Sequence, residues 1–150
     1  MRRVILAALI VAVLLTMSSL VAFAASPVNV DIKPGSNHNS VNLKSSGLLP
    51  VALLGSAELD VRTVRPETIM IGDVDLPENG SYDNRRLMYG YEDLNGDGYQ
   101  DLVGEFVVYH LVRNGVLTAE TTSLTVTAQL SDGTEIVGQD SVAVTPSSAK

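Results

Sequence analysis

Turn-forming residues divide the chain into short segments, and this spacing is the strongest constraint on its fold. From residue 25 onward, clusters of Gly, Pro, Asn, Asp and Ser recur about every ten residues. The segments between them are rich in apolar and β-branched residues. Residues 121–130 (TTSLTVTAQL) also alternate in polarity, which is typical of a half-buried strand. We therefore expect an all-β fold of about seven or eight strands with almost no helix.

Individual strands follow from the same pattern. Asn114-Gly115 and Asp132-Gly133 are dipeptides typical of hairpin turns. Pro50 predicts an edge position or a bulge, because proline cannot donate a ladder hydrogen bond. The whole pattern fits an antiparallel β-sandwich of immunoglobulin-like size, with the strand order left open because the Cys and Trp markers of that domain are absent. The predicted strands are 28–32, 40–43, 47–55, 68–71, 85–92, 101–112, 121–130 and 134–145.

The first 24 residues have the pattern of a secretory signal peptide. Arg2 and Arg3 precede an apolar run that ends in Ala22-Phe23-Ala24, an A-x-A cleavage site. The alternative is an uncleaved membrane anchor, since residues 4–24 are nearly long enough to span a bilayer. Hydroxyl side chains within the run weaken that alternative. We expect cleavage after Ala24, a single domain over residues 25–150, and a secreted location in the extracellular space or at the cell surface.

Loss of the signal peptide would leave a strongly acidic chain. The sequence has 10 Lys and Arg against 17 Asp and Glu, so removing Arg2 and Arg3 leaves 8 against 17, a net charge of −9. Such a surface repels phosphate backbones and anionic lipids, which argues against nucleic acid and membrane partners. The sequence has no cysteine and therefore no disulfide. Stability must come from packing or from a bound ion, and we expect a monomer.

One nine-residue segment concentrates oxygen ligands. In DLNGDGYQD (93–101), side-chain oxygens fall at positions 1, 3, 5 and 9, which are Asp93, Asn95, Asp97 and Asp101. Tyr99, at position 7, offers its backbone carbonyl. Oxygen ligands at this spacing bind Ca²⁺, and three carboxylates so close together repel one another without a cation. The alternative is a polar hairpin loop without metal, because Asp, Asn and Gly also favour turns.

The same segment departs from an EF-hand. Position 12 is Gly104, where an EF-hand has a bidentate Glu, and strand-like rather than helical sequence flanks the loop. Asp101 is therefore predicted to be the closing ligand. The loop resembles the D-x-[DN]-x-DG-x-x-D loops of integrin α-chain propeller repeats (FG-GAP-like), in which the calcium loop joins two strands of a hairpin. It also resembles the first half of a dockerin calcium loop.

Further segments extend this resemblance to most of the chain. VNVDIKPGS, VNLKSSGLLPVALLGS, LDVRTVRPETIMIG, YEDLNGDGYQDLVGEF and LSDGTEIVGQDSV occur in this order. Together they resemble an uncharacterised secreted β-domain of bacterial and archaeal exported proteins, over nearly all of residues 28–144. The calcium segment of that family has the pattern E-D-V-N-G-D-G-x-x-D-L-V, which residues 92–103 match with Leu94 in place of Val. The resemblance implies export, a β fold and a metal loop, and it implies no reaction.

The combined patterns favour a secreted calcium-binding module with a structural or adhesive role. Its partner would be a cell-surface protein or a glycan, and its cofactor Ca²⁺. One alternative is a carbohydrate-binding module, because Tyr82, Tyr89, Tyr91 and Tyr99 lie close together in sequence and tyrosines stack on sugars. The other is a small hydrolase, although the sequence contains no nucleophile elbow, zinc-protease motif or phosphate-binding loop. We therefore expect no enzymatic activity.

Overall fold

The computed structural model describes residues 25–76 and 89–145, and in these ranges the all-β prediction is confirmed. The predicted signal peptide (1–24) and the first half of the predicted strand 85–92 lie outside the described residues. One α-helix, α1 (Val108–Arg113), and two 3₁₀ turns, Val61–Thr63 and Pro66–Thr68, accompany the strands. The strands are β1 (Ser26–Pro27), β2 (Val30–Ile32), β3 (Ser40–Asn42), β4 (Leu48–Leu53), β5 (Met70–Ile71), β6 (Val74–Asp75), β7 (Tyr89–Glu92), β8 (Asp101–Val107), β9 (Ser123–Gln129), β10 (Glu135–Ser141) and β11 (Ala143–Thr145).

The described strands form three sheets. A five-stranded sheet has the order β1-β10-β9-β5-β6, a four-stranded sheet the order β2-β4-β8-β7, and β11 pairs with β3 alone. The longer pairings, including β9 with β10 and β4 with β8, are antiparallel. The short pairings of β1 with β10 and of β3 with β11 are parallel. Three more strands are present than predicted: β1 and β6 were not predicted, and the predicted strand 134–145 is divided at Val142, which separates β10 from β11.

The four-stranded and five-stranded sheets share one hydrophobic core. Side chains in a strand alternate between the two faces of the sheet. Alternate residues of β4 and β8 therefore point into this core, and Leu49, paired with Phe106, is an example. The two sheets meet between β2 and β10, where the backbone N–H of Ile32 donates to Oδ2 of Asp140 at 2.9 Å. A core filled from two sheets is what a β-sandwich requires. Its fully buried members include Ile32, Ile71, Leu102, Phe106, Val126 and Ile136.

The predicted strand 101–112 is wrong beyond Val107, where the chain turns into α1. Val108 and Leu111 are both buried, with 2% and 0% of their surface exposed. They are three residues apart, so a strand would point them to opposite faces, whereas a helix puts them on one face. Burial of both side chains therefore favours the helix. Within the described part of the chain, no helix is long and apolar enough to cross a bilayer.

The predicted hairpin at Asn114-Gly115 is also wrong, because this dipeptide ends α1. Gly115 has a φ of 73°, in the left-handed region that glycine adopts without steric cost. Its N–H donates to the carbonyl of Val112 at 3.1 Å, and the next amide, of Val116, donates to the carbonyl of Leu111 at 3.0 Å. These two bonds form a Schellman motif, which satisfies the last carbonyls of the helix.

The hairpin predicted at Asp132-Gly133 is confirmed. Leu130 donates its N–H to the carbonyl of Thr134 at 2.9 Å, and Gly133 donates to the carbonyl of Leu130 at 2.9 Å. The connection therefore has three loop residues, a form in which a glycine in the left-handed region closes the turn. It joins β9 to β10, the longest antiparallel pairing with seven paired positions.

Pro50 lies in β4, an interior strand of the four-stranded sheet, so the predicted edge position is wrong. On the side that faces β2, however, Pro50 lies just beyond the end of that strand. It pairs with Glu105 on one side, while the last residue that β2 pairs with β4 is Ile32, opposite Val51. The carbonyl of Pro50 accepts a bond of 2.7 Å from Lys33, which has a φ of 61° and turns the chain away. The donor that proline lacks is therefore not needed for the β2–β4 ladder.

Candidate metal site

The predicted calcium loop connects β7 to β8. Glu92 and Asp101 face each other in the antiparallel register, and residues 93–100 cross between them. The loop residues are exposed, whereas Asp101, the first residue of β8, has none of its surface exposed. The loop therefore joins the two strands of an antiparallel hairpin.

Three of the predicted ligands are held against the loop backbone. Both carboxylate oxygens of Asp93 accept bonds from glycine amides, at 2.8 and 3.1 Å, three and five residues further along. Asn95 and Asp97 each accept a bond at Oδ1 from the amide two residues later, at 3.0 and 2.8 Å. The glycines at 96 and 98 have φ angles of 75° and 90°, which allow this tight path. The sequence thus folds locally into a loop with several side-chain oxygens on it.

Asp101 links the loop to the rest of the domain. Its Oδ1 accepts a bond of 2.8 Å from the N–H of Gly55, which follows β4, and its Oδ2 accepts one of 2.8 Å from the N–H of Leu94. A carboxylate has about four lone-pair sites, so about two stay available after these bonds. The role of Asp101 as the closing ligand stays a prediction, and the structure adds a second, structural role to it.

The donor chemistry of the loop fits Ca²⁺, although its carboxylates are not gathered into a ready-made cluster. Carboxylate, amide and carbonyl oxygens are the ligands that Ca²⁺ takes. In the described ranges, no three acidic, histidine or cysteine side chains lie close enough together to hold a metal ion between them. Coordination by all three carboxylates therefore requires the loop to close further around the ion, with the Asn95 amide and the Tyr99 carbonyl completing the set.

The charge of Asp101 has no cationic partner among the described residues. In residues 25–76 and 89–145, the ion pair within 4.0 Å joins Arg65 to Glu67 at 3.0 Å, and it lies in an exposed turn. Burying a carboxylate is costly unless hydrogen bonds or a cation compensate for the lost water. The two backbone amides compensate in part, and a divalent cation at the adjacent loop would compensate further.

A second polar cluster is centred on Asp140 of β10. The Oδ2 of Asp140 accepts bonds of 2.9 Å from the N–H of Ile32 and from Nδ2 of Asn39, which is 8% exposed. Burial raises the pKa of Asp31 above its ordinary value of 3.8, and the charges of Asp140 and then Asp101 raise it further. This pKa shift indicates that negative charges accumulate between β2, β10 and the start of β8.

We expect Asp31→Asn to stabilise the protein at pH 7 and to have little effect at pH 3. A raised pKa means that the folded state binds the proton more tightly than the unfolded state, so the free energy of unfolding falls as the pH rises from 3.8 through the folded value. Asparagine at position 31 does not ionise, so the free energy of unfolding no longer falls over this pH range. Chemical denaturation in calcium-depleted buffer at the two pH values measures it, with Asp75→Asn, at the exposed residue of β6, as the control. An equal effect of Asp31→Asn at both pH values would contradict the argument.

The tyrosines near the loop are only partly available for stacking. The guanidinium of Arg62 lies 4.6 Å from the centroid of the Tyr91 ring, covering one of its faces, and Arg62 also hydrogen-bonds Gln100 in the loop. Tyr89 packs edge-on against Tyr91 at 6.1 Å and is 42% exposed, and Tyr99 is 44% exposed. Tyr82 lies outside the described residues. Among the predicted tyrosines that the structure describes, Tyr89 and Tyr99 are therefore the more exposed.

Sequence reasoning missed the contacts that hold this region together. Gly55 was predicted only as the end of a strand, and Asn39 only as a residue between two strands. Asn39 bonds Asp140 and Ser141, which are 101 and 102 residues away. No local pattern in a single sequence indicates pairs that far apart.

The comparisons with known proteins leave the family resemblance as a prediction. No family model matches the chain, and neither the curated proteins nor the solved structures contain a significant match.

Proposed function

We propose that this protein is exported and acts outside the cytoplasm as a calcium-stabilised β module with a structural or adhesive role. The observation that carries the proposal is Asp101, a fully buried carboxylate without a cationic partner in the described residues, at the closing position of a loop of oxygen donors. The ligands would be the side chains of Asp93, Asn95, Asp97 and Asp101 with the carbonyl of Tyr99. One Ca²⁺ at this loop would supply positive charge and tie β7 to β8.

Calcium suits the loop better than other divalent ions. Ca²⁺ accepts six to eight oxygen ligands in flexible geometry, whereas Mg²⁺ requires a near-ideal octahedron and gives up its water reluctantly. Zn²⁺ prefers cysteine and histidine, and the loop contains neither. Extracellular modules bind Ca²⁺ with dissociation constants on the order of 0.1–1 mM, so the calcium outside cells would occupy such a loop.

Export is proposed from the first 24 residues. The basic start, the apolar run and the A-x-A motif support it, and an extracellular location would give the loop access to calcium. N-terminal sequencing of the exported protein should begin at Ala25. A membrane-bound product that still begins at Met1 would show that the segment is an anchor.

Calorimetric titration with CaCl₂ tests the metal site. We expect one binding event for the wild type, much weaker binding of Mg²⁺, and a loss of calcium binding in Asp97→Ala, since this carboxylate is exposed in the loop. Asp73→Ala, which removes an exposed acid outside the loop, is the control and should bind like the wild type. Absence of binding heat in the wild type would refute the calcium proposal.

Carbohydrate binding is the second candidate, favoured by the exposure of Tyr89 and Tyr99 beside the loop. Aromatic rings with a free face stack on sugars. Glycan binding that is lost in Tyr89→Ala, in a variant that still binds Ca²⁺, would favour this candidate over a purely structural role.

A further inference from the structure

We infer that Gly55, which lies outside the calcium loop in sequence, is a positioning residue for the loop. The inference rests on the proposed calcium site and adds to it. Gly55 lies 46 residues before Asp101, two residues after the end of β4 and directly after a Gly-free run from Leu48 to Leu54. Its position next to the last turn of the loop would set where the closing ligand stands.

The first contact is steric. A Cβ atom on Gly55 would lie 2.1 Å from the carbonyl oxygen of Gln100 and 3.2 Å from its carbonyl carbon. It would also lie 3.4 Å from Cβ of Tyr99. Real Cβ atoms do not approach backbone atoms this closely, and a carbonyl cannot move aside without moving the chain on both sides of it. Gly55 has no left-handed φ, so the neighbouring loop, and not the conformation of Gly55 itself, is what excludes a side chain.

The second contact is a hydrogen bond to the proposed ligand. The N–H of Gly55 donates to Oδ1 of Asp101 at 2.8 Å in a buried environment. Gln100, whose carbonyl packs against Gly55, is the residue immediately before Asp101. One residue therefore fixes both the backbone and the carboxylate at the closing position of the loop. Displacing the loop from Gly55 would displace Tyr99 and Asp101 together, which are two of the five predicted ligands.

Calcium should in turn stabilise the contact with Gly55. Coupling between two sites is reciprocal, so any effect of Gly55 on calcium affinity equals the effect of calcium on the Gly55 contact. The amide of Gly55 is protected from exchange only while its bond to Asp101 is closed. Calcium should therefore slow exchange at Gly55.

The test compares Gly55→Ala with Gly90→Ala. A Cβ on Gly90, in β7 on the other side of the loop, would have no atom within 4 Å, so this substitution adds the same methyl group without a clash. We expect Gly55→Ala to raise the calcium dissociation constant at least about tenfold, which is within the usual range of coupling between sites. Gly90→Ala should change this constant by less than about twofold. Calorimetric titration below the melting temperature of each variant measures both.

Two further measurements separate positioning from general destabilisation. A substitution that only weakens the fold lowers the melting temperature in chelator and leaves the calcium-induced rise unchanged, whereas a positioning defect reduces the rise itself. If Gly55→Ala does not fold, amide exchange of the wild type at Gly55, with and without CaCl₂, decides the matter. Slower exchange with calcium supports the inference, and unchanged exchange overturns it.

The outcomes distinguish the inference from the proposal beneath it. If the wild type gives no heat with CaCl₂, the proposed function fails. If the wild type binds calcium and Gly55→Ala binds it equally well, the calcium site stands and the positioning role of Gly55 is wrong.

Discussion

Replacing Asp101 with alanine should lower the free energy of unfolding by about 2–4 kcal/mol in calcium-free buffer. The substitution leaves the amides of Gly55 and Leu94 without their acceptor, and the first of these bonds is buried. An unsatisfied buried donor costs about 1–3 kcal/mol, and removing a buried charge offsets only part of this loss. Urea denaturation in chelator measures the effect.

Asparagine should not rescue this position. Its side chain keeps one oxygen acceptor and replaces the other with an NH₂ donor, which would then face a backbone N–H. Asp97→Ala is the matched control from the same loop. The Asp97 side chain is exposed and accepts bonds only from loop residues, so we expect its stability in chelator to stay within about 0.5 kcal/mol of the wild type. If the free energy of unfolding of Asp101→Ala in chelator is also within about 0.5 kcal/mol of the wild type, the hydrogen bonds of Asp101 do not hold the fold together.

Short-range patterns predicted most of the strands correctly. The alternation in 121–130 corresponds to β9, and the Asp132-Gly133 turn joins it to β10. Both depend on neighbours within a few residues, since alternation places side chains on one face and glycine supplies a left-handed turn conformation. The predicted calcium loop was placed between two strands for the same reason.

The predictions failed where two local signals compete. Asn-Gly ends a helix as readily as it turns a hairpin, because both structures require a left-handed residue. The choice at Gly115 depends on the burial of Val108 and Leu111 against the core, which the sequence does not reveal. The residues before it are β-branched and aromatic and favoured a strand, and tertiary packing overrides that preference.

The structural partners of the candidate site were beyond a single sequence. The predicted loop ligands lie within one nine-residue segment and could be recognised by their spacing. The buried position of Asp101 and its bond to Gly55 depend on how β4 and β8 pair, with Leu53 opposite Leu102. That register brings Gly55, two residues after the end of β4, beside Gln100, the residue before Asp101, and only the folded chain shows it.

Calcium should raise the melting temperature by roughly 5–15 °C at saturating concentration. An ion at about one hundred times its dissociation constant adds about 2.7 kcal/mol to the free energy of unfolding when it binds only the folded state. In the unfolded chain the predicted ligands are not held together, because the backbone rotates freely between them. The unfolded chain therefore binds Ca²⁺ only weakly. Mg²⁺ at the same concentration should produce a smaller rise.

Variants of the loop should divide this effect into two parts. Asp97→Ala should melt like the wild type in chelator and lose most of the rise with calcium. Asp101→Ala should melt earlier in chelator and also lose the rise, since the residue has both a structural contact and a predicted ligand role. If both variants lose the calcium-induced rise but have the same melting temperature in chelator, the structural role of Asp101 is wrong.

The most direct test of a calcium-stabilised module is the thermal melt of the purified wild-type protein in excess CaCl₂ and in excess chelator. We predict a rise of roughly 5–15 °C in calcium that returns to the chelator value when the ion is removed. Equal melting temperatures in the two buffers, with no heat of calcium binding, would show that residues 93–101 form an acidic turn without a metal ion.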